Sequence, residues 1–158
     1  MSQKIDNSEE EVSQFTASCL KAEKIAEKLI ARAEQNSFGL TVKLEKKGFE
    51  AAVVKEVISG LLNRGLLDDE RYAALWLRSR LGKRVQTPKT LLFSLRKRGI
   101  DRHSSQKALD LVLDPDTEYA LLLNYIETLE ESKISSLRTQ LKHEGFSVDS
   151  LTRYFDNL

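Results

Sequence analysis

Two groups of residues in this chain have the types and spacing for chemistry. The first is the adjacent pair Asp68-Asp69. Neighbouring carboxylates can hold a divalent cation or divide acid and base roles between them. No His, Cys or further acid at ligand spacing accompanies this pair. His103 and His143 lie far apart, the serines have no evident His/Asp company, and no HExxH, Walker A or GxGxxG string occurs. Cys19 is the only cysteine, so an internal disulfide and every multi-thiolate metal site are excluded. The pair instead reads as the start of a helix, where one carboxylate accepts first-turn amides and both favour the positive end of the helix dipole. The chain is therefore expected not to be an enzyme, with no catalytic residue, metal or cofactor.

The second group is cationic. Between Arg71 and Lys107 stand eleven Lys or Arg against one acid, Asp101, a local charge of +10; the remainder of the chain carries −9, and the total is only +1. Such segregation predicts an anionic partner, nucleic acid or an acidic protein surface. The residues placed to touch it are Arg71, Arg78, Lys83, Arg84, Lys89, Phe93, Arg96, Lys97 and Arg98. Phe93 shares a helical sector with Lys89, Arg96 and Lys97. An aromatic ring among cations suits stacking on a single-stranded base, and packing on a neighbouring helical unit is the alternative. Arg80 falls on the apolar side of its helix, where it can snorkel or pair with a carboxylate.

The elements that must carry these residues are helices. Two prolines and seven glycines in 158 residues, with Leu, Lys, Glu, Ala and Arg dominant, predict an all-α fold. Helix ends recur in one form. Gly48, Gly65, Gly99 and Gly145 each follow a leucine by four positions and precede an apolar residue, as in Leu44-Gly48-Phe49. That spacing is a Schellman stop, in which the residue at C′ takes the left-handed conformation open to glycine. Gly48, Gly99 and Gly145 also align LTVKLEKKGF, LLFSLRKRGI and LRTQLKHEGF at separations of 51 and 46 residues. In the helices that follow, Val54, Val57, Ile58 and Leu61 match Leu151, Tyr154, Phe155 and Leu158, with Ser105, Ala108, Leu109 and Val112 in the middle copy. A period of this size implies three tandem three-helix repeats.

The expected organisation is a mobile polar leader over 1–15, with a frayed turn at Ser8 to Glu11, then repeats at 16–67, 68–113 and 114–158. Linking helices run from Thr16 to Gln35, Asp68 to Leu81, and Pro115 to about Glu131. Ser37, Thr87, Asp101, Asp114 and Ser147 are the expected caps. On the second linking helix Tyr72, Ala73, Trp76, Leu77 and Leu81 leave only Arg71 and Arg78 as a polar stripe, the pattern of a central pillar. No apolar run approaches the length of a membrane span, and the polar start lacks the core of a secretory signal, so a cytoplasmic protein without membrane contact is expected.

The string from Gly65 to Ala73, with Arg78-Ser79-Arg80, Pro88 and Leu95 to Ile100, resembles the RecX family of bacterial RecA regulators. The likeness extends upstream through Leu29 to Arg32 and Ser37 to Leu44, and weakens toward the C-terminus. Ser94, Gly39 and Thr87 depart from residues common at those places in the family. The resemblance implies an elongated, curved all-helical array that binds the RecA filament on single-stranded DNA, usually in opposition to strand exchange and repressor cleavage. A monomer lying in the filament groove, meeting single-stranded DNA directly or through RecA, is the expected mode. A stand-alone nucleic-acid-binding protein, or an adaptor that recruits through its acidic C-terminal third, are the rivals.

Overall fold

Helix-forming composition and strong stop signals produce nine helices among the described residues. The computed structural model describes the backbone of residues 2–129 and 136–158, and side chains from residue 8 onward within those spans. The helices are α1 (Ser2–Arg32), α2 (Ser37–Lys46), α3 (Ala51–Asn63), α4 (Asp69–Arg80), α5 (Pro88–Lys97), α6 (Arg102–Val112), α7 (Pro115–Ile126), α8 (Leu137–His143) and α9 (Val148–Phe155). No strand occurs among the described residues. The chain divides into two compact units, Met1–Tyr72 and Ala73–Leu158, with the boundary inside α4.

All four glycine stops form. At the first, the Phe49 amide donates to the Leu44 carbonyl at 3.3 Å and the Gly48 amide to Glu45 at 2.9 Å, with Gly48 at φ +90°. The same pair of bonds closes α3 at Gly65, α5 at Gly99 and α8 at Gly145. The apolar residue after the glycine is buried at Ile100 and Phe146 and half-buried at Phe49, while Leu66 is exposed and Leu67 takes the covered place. The order linking helix, helix, stop, helix thus occurs three times, as α1–α3, α4–α6 and α7–α9.

The first unit packs α1 on α3 and α2, and α2 on α3. Its core holds Ala22, Ala26, Leu40, Leu44, Val54, Val57, Ile58 and Leu61. In the second unit α5 packs on α6, and α9 packs on both α7 and α8. Leu91, Leu95, Ala108, Leu109, Leu122, Leu141 and Phe146 are buried there. The middle-copy set Ser105, Ala108, Leu109 and Val112 is buried throughout, whereas in the third copy Leu158 is 85% exposed because α9 stops at Phe155.

Several boundaries differ from the sequence expectation. α1 begins at Ser2, not near Thr16, and ends at Arg32; from Ser8 to Ala17 every side chain is exposed. Extending an existing helix by one residue needs no new nucleus, so a Glu- and Ser-containing segment without a buried face can continue one that packing has already formed. Asn36, not Ser37, caps α2, its Oδ1 accepting from the Gly39 amide at 2.8 Å. α7 ends at Ile126, and the expected end near Glu131 lies outside the described residues. The remaining caps form as expected: Thr87 with Thr90 in a capping box, and Asp101, Asp114 and Ser147 each on first-turn amides.

Candidate functional site

Asp68 and Asp69 do different work. Asp68 caps α4 by accepting from the Arg71 amide at 2.9 Å. Asp69 accepts from Ser37, at 2.7 Å from its amide and 2.5 Å from its hydroxyl, and so ties the start of α4 to the start of α2. Glu118 on α7 holds Ser147, the cap of α9, in the same way, through its amide at 2.8 Å and its hydroxyl at 2.5 Å. The acids at these helix starts are structural clamps. No group of three metal-ligating side chains occurs among the described residues.

The cationic run sorts into engaged and open residues. Arg71, in the first unit, donates from Nε to Glu34 at 2.8 Å and from its terminal nitrogens to the Gly65 and Leu66 carbonyls, both at 3.3 Å. It fastens the α3 stop to the segment that follows α1. Lys89 lies 3.4 Å from Glu144 and 3.0 Å from His143 Nδ1. Burial pushes the Glu144 carboxyl up, but the Thr87 hydroxyl, the Lys89 ammonium and His143 outweigh it and hold its pKa below the ordinary glutamate value. The Glu144 carbonyl also accepts the Lys89 amide at 3.0 Å, so the end of α8 abuts the start of α5.

On α4 the buried face is narrower than a pillar would have. Ala73, Ala74 and Leu77 are buried, Tyr72 and Trp76 are half-buried, and Leu75 is 47% exposed. The Trp76 ring is covered by cations: the guanidinium carbons of Arg80 and Arg98 stand 5.2 and 4.7 Å from its centroid. Planar guanidinium groups stack on an aromatic face and are weakly hydrated, which explains how Arg80 occupies an apolar sector.

The open set is Arg78, Lys83, Arg84, Arg96 and Arg102, all exposed and with no ion pair to a described residue. Lys83 and Arg84 lie on the turn after α4. Arg96 is on α5, one helical face with Lys89 and Phe93. Phe93 is 56% exposed, with the Lys97 ammonium 4.6 Å from its ring centroid. Phe93 and Arg96 stand at a groove of about 1270 Å³ between α5 and α6, reached also by Arg102, Gln106, His143 and Glu144. The sequence pattern does not single out Arg102, Gln106 or His143 for this site. A signal for Arg102 does exist in its place directly after the Asp101 cap, since the stop at Gly99 turns the start of α6 back beside α5.

No helix among the described residues is long and apolar enough to cross a membrane. No family model matches the chain. The regulatory protein RecX of Treponema pallidum (strain Nichols) is 35% identical over 141 residues, covering 88% of this chain and 86% of that protein. A crystal structure of a regulatory protein RecX superposes with a TM-score of 0.69 at 19% identity, over 95% of this chain and 78% of that one. A crystal structure of RecX from Lactobacillus salivarius gives 0.68 at 20% identity, over 90% and 97%. The two structures match in fold.

Proposed function

Because this chain belongs to the RecX family of regulatory proteins, we propose that it regulates RecA. It binds the RecA filament on single-stranded DNA, lies in the filament groove, and limits recombinase and coprotease activity without chemistry of its own. On this reading the protein acts in the cytoplasm, and RecA, not this chain, hydrolyses the ATP. The observation that carries this reading is the set of open cations in the second unit, Arg78, Lys83, Arg84 and Arg96, beside Lys97 and the exposed Phe93. They offer a cationic surface to phosphate or to acidic RecA side chains. Arg71, Lys89 and Arg98 belong to the same run, and their internal partners give them the lesser share of contact.

Helix–stop–helix repeats, bounded at 16–67, 68–113 and 114–158, suit a periodic groove, because one monomer can touch successive protomers and gain affinity by multivalency. The test is RecA ATPase on single-stranded DNA, with filament length followed in parallel. Saturating protein should lower the ATPase and shorten or open filaments. Unchanged ATPase and filament length would overturn the proposal. The exposed cations with Phe93 also fit a stand-alone nucleic-acid-binding protein. That reading predicts the same affinity for DNA with and without RecA.

A further inference from the structure

The open cations fall into two chemical settings. On the turn after α4, Lys83 and Arg84 stand exposed beside Gly82, Val85 and Gln86, and no acid lies between Arg71 and Ile100 in the chain. That setting is cationic, with no acid among its neighbours in the chain. The α5–α6 groove is mixed. Half-buried Leu92 with buried Ile100 and Leu109 line it, at 2% exposure for Ile100 and 5% for Leu109. Lys89, Phe93 and Arg96 of α5 and Arg102 of α6 border it, and so do two acids, Asp101 and Glu144, the second already paired with Lys89.

We infer that the α5–α6 groove binds an acidic protein segment with an apolar or aromatic anchor, while the Lys83–Arg84 turn is the part that meets nucleic-acid phosphate. This rests on the reading of the chain as a RecA–DNA filament regulator, and it places RecA's contact in the groove. Three observations favour a protein occupant. A phosphodiester strand carries one like charge per nucleotide, and the exposed Asp101 would repel it, while Lys89 already holds Glu144. A polypeptide can set its acids against Arg96 and Arg102 and neutral residues against the groove's own acids. The apolar surface still open there, chiefly Phe93 with half-buried Leu92, rewards a buried hydrophobic side chain and does nothing for phosphate. Finally, the groove, at about 1270 Å³, exceeds the roughly 300–1,000 Å³ usual for small-molecule pockets, as a site for a stretch of chain should. Arg96 and Arg102 can each grip a carboxylate through two parallel N–H donors.

The test separates the two sites in the full-length protein. Arg96→Glu with Arg102→Glu reverses the groove; Lys83→Glu with Arg84→Glu reverses the turn. Binding is measured to a fluorescein-labelled oligo(dT) alone and to the RecA filament on the same oligonucleotide, with circular dichroism as the check on folding. The groove variant should lose at least about tenfold in filament affinity and keep its oligo(dT) affinity within about twofold. The turn variant should lose oligo(dT) affinity, with a log–log salt slope shallower by about 1.4, or roughly 0.7 per lost contact on a single strand. Phe93→Ala, at an exposed position, should follow the groove variant and guards against misfolding of the double reversal. Parallel losses on oligo(dT) and filament in the groove variant would make the groove a nucleic-acid site and overturn the inference, as would no loss in either. Wild-type protein that binds the filament no better than oligo(dT) would overturn the RecA reading itself, and the inference with it.

Discussion

Replacing Asp69 by alanine tests the clamp that joins α4 to α2. The wild-type carboxylate accepts the Ser37 amide at 2.7 Å and its hydroxyl at 2.5 Å in a partly buried setting. Hydrogen bonds to a charged group contribute about 1.5–3 kcal/mol each, and partial exposure lets water replace some of that. A net loss of about 2–3 kcal/mol is expected for Asp69→Ala, and about 1 kcal/mol for Ser37→Ala. The two should couple by about 1–2 kcal/mol in a double-mutant cycle, since they meet directly. With an m-value of about 2 kcal/mol/M, Asp69→Ala should lower the urea midpoint of the first unit by about 1 M. Far-UV circular dichroism follows unfolding of the helices, while the fluorescence of Trp76, seven residues along α4 from Asp69, reports on the helix that the clamp holds. Hydrogen exchange sharpens the assay. The Ser37 amide should exchange faster in Asp69→Ala, whereas the Gly39 amide, held by Asn36, should not change. Asp68→Ala should instead release the Arg71 amide. A stability loss below about 0.5 kcal/mol, the level of an ordinary surface substitution, or equal acceleration at Ser37 and Gly39, would refute the clamp.

Two other predictions follow from the contact between α8 and α5. Gly145→Ala places a side chain at φ +88° with its Cβ 3.4 Å from both the Lys89 amide nitrogen and Pro88 Cβ; it should cost about 1–2 kcal/mol in urea unfolding of the second unit. Glu144→Gln should leave a pH-dependent deficit. The wild-type carboxyl has a depressed folded pKa, so its contribution is fully present above the unfolded value of about 4.3 and disappears as pH falls through the folded value. Urea midpoints of wild type and variant should therefore converge in acid, and a gap that stays constant from about pH 7 to about pH 3 would remove the carboxylate from the account.

The features readable in the chain are those completed within a few residues. A Schellman stop needs a leucine, a glycine and an apolar residue within six positions, so Leu44-Gly48-Phe49 and its three relatives announce helix ends without knowledge of the partners. Thr87, Asp101, Asp114 and Ser147 are caps for the same reason: the amides they accept are two or three residues away. Where two candidates stand side by side, local chemistry is ambiguous. Asn36 and Ser37 can both cap, and so can Asp68 and Asp69; the choice follows from Ser37 and Asp69 meeting across 32 residues. The start of α1 is not legible, because its exposed segment lacks the apolar periodicity that marks a packed helix.

By itself, then, the sequence determined an all-helical chain, where most helices stop, and a surplus of positive charge between Arg71 and Lys107, because propensity, turn chemistry and net charge are local or additive. Tertiary structure decided which of those charges stay open to a partner. Arg71 meets Glu34 at a separation of 37 residues, Lys89 meets Glu144 at 55, and Arg98 covers Trp76. Arg96 and Arg102 meet no such partner among the described residues and border one groove instead. A guanidinium is neutralised only by a group within a few ångströms, and which groups come that close is a property of packing that no count of residues contains.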